Sequence, residues 1–264
     1  AVAEAVEVAE RAPGSARQLV ALVQASRLHM LRRELDRALE LGRRALALAA
    51  DRGDVRQHAL AVNSVGTAMV MRREPGAVAL MRDGLRMADA CGDDDNAALI
   101  MCNLGSGLGE IRRYGPATEW LERCLAFSTE HDLDLTRDYA RSWQARVHLE
   151  LGEWDTAAAR AAGLLDSASR AARLGALTVL GRVGVRRGER AGELRDAWTL
   201  AMSIGETQRT WPVAAGLAEA ATLARTPIPD EVWPAFEDAA AHGLGWAIGE
   251  LGWHLVRAGA LDAS

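Results

Sequence analysis

The run GDDDNA, Gly92–Ala97, contains residue types that could do chemistry, because consecutive aspartates are suited to holding a divalent cation. The fifth position of an aspartate-rich metal motif is taken by Ala97, and no Asn/Ser/Glu partner motif follows. Asp and Asn also begin helices well, since their side chains accept hydrogen bonds from free backbone N–H groups. We therefore predict that Asp93–Asn96 caps the start of a helix.

The glycine-rich stretch GSGLGE, Gly105–Glu110, has a superficial likeness to a dinucleotide-binding loop. Its third glycine, Gly109, comes one residue early for that motif, and no predicted strand precedes it. These glycines are interpreted as packing positions within a helix.

Residue types needed for catalysis are missing or badly spaced. All 31 basic residues are arginine, so this chain contains neither a phosphate-binding P-loop with its lysine nor a Schiff-base lysine. No Ser–His–Asp grouping can be assigned, and GxSxG is absent. Three cysteines without metal-type spacing are interpreted as reduced, buried thiols, and His29 and His148 as partly buried packing residues. We expect no catalysis, no cofactor and no metal in this chain. The cysteines are Cys91, Cys102 and Cys124, and the histidines, none paired at i and i+4, are His29, His58, His131, His148, His242 and His254.

The elements that carry these residues are predicted to be helices. The chain has 264 residues, 49% of them hydrophobic and 25% charged, which is ordinary for a soluble folded protein. It is rich in Ala and Leu and has only 5% aromatic residues, a composition that favours helices over strands. The net charge of -5 argues against direct nucleic-acid binding.

The start of the chain, AVAEAVEVAE, carries glutamates where a signal peptide has positive charge, and no apolar run reaches the ~18 residues of a membrane span. We therefore expect a cytoplasmic protein that does not enter a membrane. Because the first residue is not Met, we also expect a fragment of a larger protein.

A pattern of small residues repeats along the chain. In LELGEWDTAAARAAGLL, Leu149–Leu165, a Gly-Glu turn is followed by an aromatic residue and then by alanines. RYGPATEWLERCLAF and ELDRALELGRRALAL have the same form. The small residues would let two helices approach closely, and Leu35, Tyr114 or Trp154 would fill the gap beside them.

Five marker positions define the period: Ser26, Gly66, Gly105, Ala145 and Gly181 are separated by 40, 39, 40 and 36 residues. Helix–turn–helix units at such a period predict an all-α fold, an α-solenoid of antiparallel helix pairs forming a superhelix of about six to seven pairs. After Gly205 the pattern weakens, and Trp211–Ala224 is predicted as one helix starting at Pro212. The expected repeats of a single domain are 15–50, 55–90, 97–131, 137–168, 170–205, 209–241 and a partial 242–264.

The segment NLGSGLGEIRRYGPATEWLERCL resembles the tetratricopeptide repeat (TPR) family, with Gly105, Tyr114 and Ala117 in the patterned places. The repeats are longer than the 34-residue consensus and lack its closing proline. In that family the first helix of each pair lines a concave groove. Peptide-carboxylate-clamping relatives use Lys and Asn there, whereas this chain has no Lys and retains only Asn63.

Transferring the family's groove positions gives a mixed polar set that is a candidate for binding a protein or a small polar inducer. If the groove is the site, Arg146→Ala and Arg182→Ala should weaken binding without unfolding the chain. The candidate groove residues are Arg27, Asn63, Thr67, Cys102, Ser106, Glu110, Ser142, Arg146, Glu150, Thr178, Arg182 and Arg186.

Two further features have alternative interpretations. Arginine pairs recur near the ends of first helices, where they form a partner-binding edge or stabilise the negative end of the helix dipole. All eight Trp lie between Trp120 and Trp253, where they line a ligand pocket or fill gaps between helices. The arginine pairs are Arg32–Arg33, Arg72–Arg73, Arg112–Arg113 and Arg186–Arg187.

The order of the segments ARSWQARVHLELGEWDTAAARAAGLL, ALTVLGRVGVRRGE, QRTWPVAAGLAEAATLA and LGWAIGELGWHLVRAGALD resembles the helical-repeat region of large ATP-binding LuxR-type transcriptional regulators of the maltose-regulator kind. The resemblance covers most of the chain from about Ser15. It implies a non-catalytic sensor domain that binds an inducer or partner and relays it to ATPase and helix-turn-helix modules absent from this chain. ATP is implied only for the upstream module.

A stand-alone TPR scaffold for protein–protein interaction is the alternative, and self-association remains open in both. The sequence flanking Ala1 and Ser264 would separate the two hypotheses.

Overall fold

The structure is a computed structural model that describes Glu7 and residues 10–189 and 192–261. These residues form 13 α-helices and no strand, so the prediction of an all-α helical-repeat solenoid is confirmed. First and second helices alternate along the chain and are joined by short turns. In chain order the helices are α1 (Ala16–Leu31), α2 (Leu35–Arg52), α3 (Val55–Met71), α4 (Ala77–Ala90), α5 (Asp94–Glu110), α6 (Tyr114–Glu130), α7 (Asp134–Glu150), α8 (Trp154–Ala162), α9 (Arg170–Arg186), α10 (Gly192–Ile204), α11 (Thr207–Ala224), α12 (Val232–Ala241) and α13 (Gly245–Arg257).

The chain divides into two units, Ala1–Thr136 and Arg137–Ser264. In the first unit, α1, α3 and α5 each pack against their own second helix, and these three first helices lie side by side. In the second unit, α9, α11 and α13 lie side by side in the same way, and α10 and α12 pack between them. Helix α7 shares a hydrophobic core with α8 and α9 through Ala145, Leu149 and Val183. The first helices of each unit therefore form one continuous layer.

Close contact at the small marker residues holds each pair together. A Cβ atom added to Gly105 would lie 2.6 Å from Leu121 Cγ, and one added to Gly181 would lie 2.6 Å from Leu194 Cγ. At the equivalent place in the first pair, the Ser26 hydroxyl donates to the Ala38 carbonyl at 2.8 Å. The interpretation of GSGLGE as helix-packing glycines is confirmed for Gly105, which lies inside α5 against α6. It is also confirmed for Gly107, where an added Cβ would lie 3.2 Å from Val70 Cγ1.

Side-chain caps start several first helices. Ser15, Asp54, Asp93 and Ser169 each accept a hydrogen bond from the backbone N–H three residues later. Such a cap satisfies one of the backbone donors that the first helical turn leaves free. The capping prediction for GDDDNA is thus confirmed at Asp93, which also accepts a hydrogen bond from Arg56 Nε at 2.9 Å.

The four arginine pairs are not structurally equivalent, so they do not form the single recurring edge that one interpretation of the sequence predicts. Arg33, Arg73 and Arg112 adopt the left-handed backbone conformation just after a first helix, with φ of 63°, 57° and 63°. In the last pair, Arg186 is inside α9 and Arg187 caps it, while Gly188 takes the left-handed position. Among these four pairs, the left-handed position is therefore an arginine in the first three and Gly188 in the last. Arg225, after α11, adopts the same conformation with a φ of 54°.

Two local predictions are corrected. Trp154 does not fill a gap beside the small residues, because 36% of it is exposed, whereas Leu35 at the equivalent position is buried. Helix α11 begins at Thr207, five residues before Pro212, and the buried Trp211 is anchored through its Nε1, which donates to Asp238 at 2.9 Å. Among the described helices, none combines the length and hydropathy that a membrane span requires.

Candidate functional site

The first helices of the second unit bring six charged side chains together on one face. Arg182, on α9, is at the centre, with its side chain only 4% exposed. Its Nε donates to Glu219 on α11 at 2.8 Å, and its Nη1 donates to Glu250 on α13 at 2.6 Å. The same Nη1 lies 3.4 Å from Glu150 on α7. One guanidinium thus connects four helices.

Two more arginines complete this group, and both contact tryptophan rings. Arg186 donates from Nε to Glu219 at 2.6 Å. Its Cζ lies 5.8 Å from the centre of the Trp154 ring. Arg146 Nη2 lies 3.8 Å from Glu250 Oε2. Its Cζ lies 4.8 Å from the centre of the Trp143 ring and 5.7 Å from the centre of the Trp246 ring. The side chains of Arg146 and Arg186 are each 19% exposed, so solvent reaches the edge of the group but not its centre. We call Arg146, Glu150, Arg182, Arg186, Glu219 and Glu250 the inner ion network.

The two arginines beside Glu219 keep its carboxylate ionised. Burial by itself would raise the pKa of Glu219, but the charge of Arg182 and the hydrogen bond and charge of Arg186 hold that pKa below its ordinary value. Burial would likewise lower the pKa of Arg182, and Glu250, Glu219 and Glu150 raise it instead. A general acid near neutral pH needs a raised carboxyl pKa. Glu219 has the opposite shift, so its carboxyl group is not poised to act as a general acid near neutral pH.

His254 lies beside the network on α13 and is 8% exposed. Burial disfavours the charged imidazolium and lowers the pKa of His254; attraction by Glu219 and Glu250 opposes this effect, while Arg182 and Arg257 add to it. Its Nδ1 is buried without a hydrogen-bond partner among the described residues. His254 is therefore a neutral imidazole at neutral pH.

We expect the second unit to lose stability as the pH falls below about 6.5, the ordinary pKa of histidine. The pKa of His254 is lower in the folded state than in the unfolded state, so between these two values the unfolded state binds more protons and acid favours unfolding. The lowered pKa of Glu219 acts with the same sign at more acidic pH. Urea unfolding followed by tryptophan fluorescence measures this, because every Trp except Trp120 lies in the second unit.

The control for this pH dependence is His254→Gln, which removes the titrating group. Its free energy of unfolding should fall less than that of the wild type between about pH 7.5 and 5.5. A wild type that becomes more stable on acidification would contradict the assignment.

In the first unit, the predicted groove residues are also largely internal. Glu110 on α5 accepts a hydrogen bond from Arg33 Nη2 at 2.5 Å, and Arg33 is itself only 3% exposed. Asn63 Oδ1 accepts from Asn103 at 2.8 Å, and Thr67 donates to the Asn63 carbonyl at 2.6 Å. The pair of Arg33 and Glu110 connects the end of α1 to the end of α5.

The remaining groove candidates are an exposed arginine, a buried cysteine and three residues whose hydroxyls bond to backbone carbonyls. Arg27 is exposed, and Cys102 is buried. The hydroxyls of Ser142 and Thr178 each donate at 2.8 Å to a carbonyl in the preceding turn of their own helix, and Ser106 donates to its own preceding turn at 3.5 Å. Binding by the candidate groove residues stays a prediction. For Arg182, however, the observed burial and ion pairs give a structural role, so its replacement should also reduce stability.

Sequence reasoning missed Glu219 and Glu250, and it assigned Arg33 to an arginine pair instead of the groove. Glu150 and Glu219 are separated from Arg182 by 32 and 37 residues, close to the period of the repeats. Charges of opposite sign at that spacing were a usable signal, but the small-residue pattern weakens after Gly205 and the two later glutamates were not aligned. Arg33 lies in a turn, outside the helix positions that the groove pattern considers.

The histidine and cysteine predictions are correct in part, because His29 and His148 are partly buried and Cys102 and Cys124 are buried. His29 and His148 do occupy equivalent places, but each bonds through Nδ1 to a glutamate five residues later, Glu34 and Glu153, and so links its helix to the following turn. Cys91 is exposed, whereas Cys124 is buried as predicted. The Cys124 thiol contacts Cys102 and Ser128, and these contacts lower its pKa although burial opposes the shift.

No protein-family model matches this chain, and no curated protein matches its sequence. Solved structures do match. One is described as a "Circular tandem repeat protein with novel repeat topology and enhanced subunit contact surfaces", with 14% identity and a TM-score of 0.34, over 98% of this chain and 84% of that chain. A helical repeat fold is typical of scaffold and interaction domains, since stacked repeats present extended binding surfaces.

Proposed function

We propose that this chain is a non-catalytic sensor domain that binds a small polar inducer or a protein partner on the layer of first helices in its second unit. The observation that carries the proposal is the inner ion network. Burying Arg182, Glu219 and Glu250 costs solvation free energy that an apolar interior would not lose, so the network is a poor way to gain stability alone. Charged groups and tryptophan rings on one face are suited to recognising a polar ligand.

The finer proposal is that the domain belongs to a cytoplasmic, ATP-dependent regulator of the LuxR type. The resemblance of the four segments from ARSWQARVHLE to LGWHLVRAGALD supports it, and so does the solenoid architecture, in which each repeat contacts only its neighbours. Binding on the layer of first helices would then change how these helices stack, and this change would relay the signal to other modules.

Reading the intact reading frame on both sides tests this relationship. A lysine-bearing P-loop upstream and a helix-turn-helix downstream are the expected result. A start codon and a stop codon close to the two ends would replace the sensor proposal by the stand-alone scaffold.

Replacement of Arg146 should test the binding face directly. Arg146 is half-buried between two tryptophan rings, and Arg146→Ala should abolish the increase in melting temperature that a bound ligand produces. The measurement is a thermal-shift panel of oligosaccharides, amino acids and dicarboxylates on the wild type, on Arg146→Ala and on Arg141→Ala. Arg141 is the matched control, because it is on the same helix and is exposed. A ligand shift that survives Arg146→Ala would place the site elsewhere.

A further inference from the structure

Helix α13 contributes a carboxylate to a group of arginine side chains that belong to other helices. Glu250 Oε1 accepts from Arg182 Nη1 at 2.6 Å, and its Oε2 lies 3.8 Å from Arg146. Those arginines belong to α9 and α7, so Glu250 reaches across from a different helix pair. Trp246 is also on α13, and the centre of its ring lies 5.7 Å from Arg146 Cζ.

Glu250 supplies one of the three negative charges of the network. With α13 in place, Arg146, Arg182 and Arg186 face Glu150, Glu219 and Glu250, and the charges balance. Without Glu250 the network itself keeps three arginines and only two carboxylates. Guanidinium groups bind carboxylates through charge-assisted hydrogen bonds. The face left by α13 would therefore attract one anionic group.

The sequence of α13 is poorly suited to holding a helix in place. Its interior includes Gly249 and Gly252, and glycine is the least favourable residue after proline in a helix interior. Close packing does not explain Gly249, because a Cβ atom added there would meet nothing within 4 Å.

Docking of α13 also leaves polar atoms without partners. Trp246 Nε1 and His254 Nδ1 are both buried, and neither has a hydrogen-bond partner among the described residues. Each buried unsatisfied polar atom opposes docking, since water would bond to it once the helix separated. Apolar contacts of Leu251 and Leu255, both fully buried, act in the opposite direction.

We propose that Glu250 occupies a carboxylate-binding site formed by Arg146 and Arg182, and that α13 undocks to let the carboxylate of a ligand take its place. The proposal rests on the proposed function, in which the layer of first helices in the second unit binds a ligand. It names the ligand chemistry, a carboxylate, and makes α13 an autoinhibitory element. The apparent affinity is then the intrinsic affinity multiplied by the fraction of molecules with α13 undocked.

Two variants of the full chain change that fraction in opposite directions. Glu250→Gln removes the competing charge and should strengthen binding of a carboxylate about tenfold. Gly249→Ala fills open space, favours the helix, and should weaken binding and slow hydrogen exchange of α13 about fivefold. Arg146→Ala shows whether binding occurs at this face.

The experiment combines calorimetric titration with hydrogen exchange of α13 and α11 in these variants. Glutarate serves as a free dicarboxylate and a short amidated glutamate peptide as an acidic segment, so the two arms distinguish a small ligand from a protein partner. The expected result is binding in the order Glu250→Gln, wild type, Gly249→Ala, with faster exchange of α13 when either probe is bound.

The opposing outcomes separate the two proposals. Equal affinities in wild type, Glu250→Gln and Gly249→Ala, lost in Arg146→Ala, would overturn the autoinhibition and leave the binding function standing. Absence of binding by both probes in every variant, although α13 exchange responds to Glu250→Gln, would overturn the carboxylate site. The proposed binding face would still stand if another ligand of the thermal-shift panel raised the melting temperature of the wild type but not that of Arg146→Ala.

Discussion

Replacing Arg182 by methionine is expected to lower the free energy of unfolding of the second unit by about 3 kcal/mol. Arg182 is 4% exposed and has Glu150, Glu219 and Glu250 as ion-pair partners on three different helices. Without it, buried carboxylates must remain ionised with fewer partners or bind protons, and both cost free energy. Methionine retains similar side-chain volume, so loss of the charge dominates the effect. Chemical unfolding followed by tryptophan fluorescence gives the value.

Arg187→Ala is the matched control for Arg182→Met. Arg187 follows the same helix and pairs with Asp155, but its side chain is 38% exposed and that of Asp155 is fully exposed. Exposed ion pairs of this kind contribute little, so we expect a change within about 0.5 kcal/mol. In addition, Arg182→Met/Glu250→Met should be more stable than Arg182→Met alone, because it removes a carboxylate left with fewer partners. Equal losses in Arg182→Met and Arg187→Ala would show that the network is not a stability determinant.

Gly105→Leu is expected to lower the free energy of unfolding of the first unit by about 3 kcal/mol. A Cβ atom at Gly105 would lie 2.6 and 2.7 Å from the Leu121 side chain and 3.1 Å from its backbone nitrogen. Because backbone as well as side chain blocks the space, α5 and α6 would have to separate. Loss of helical circular dichroism at lower denaturant concentration, with faster hydrogen exchange in peptides from α5 and α6, measures the effect.

Gly115→Ala provides the comparison on the neighbouring helix. A Cβ atom at Gly115 would meet nothing within 4 Å, and alanine is favoured over glycine in a helix. This variant should therefore unfold at the same or a slightly higher denaturant concentration than the wild type. If Gly105→Leu were as stable as Gly115→Ala, the close-packing role of the marker residues would be wrong.

The fold could be predicted from sequence because its determinants are local or periodic. Small residues at Ser26, Gly105 and Gly181 recur at the period of the helix pairs, and each makes the close contact that its size permits. Asp93 caps a helix through a contact only three residues away. Such interactions depend on neighbours in sequence or on a regular repeat, and both can be read from residue types alone.

The weaker predictions failed where the pattern became irregular. Pro212 predicts a helix start because proline suits the first turn, yet α11 begins at Thr207. Trp154 matched other turn residues by position, but it is 36% exposed beside Arg186. In both cases contacts with other helices, not the local sequence, decided the outcome.

The sequence alone determined an all-helical repeat protein whose first helices have a polar face, since helix propensity, caps and the period of small residues are properties of short segments. Only the tertiary structure decided what that face contacts. Arg182 meets Glu250 across 68 residues of chain, which requires first helices from different pairs to lie within the reach of two side chains. That distance depends on the rotation between successive pairs, summed over the repeats between them. The pattern within a single repeat does not specify this sum, so the polar face could be predicted but not the network that fills it.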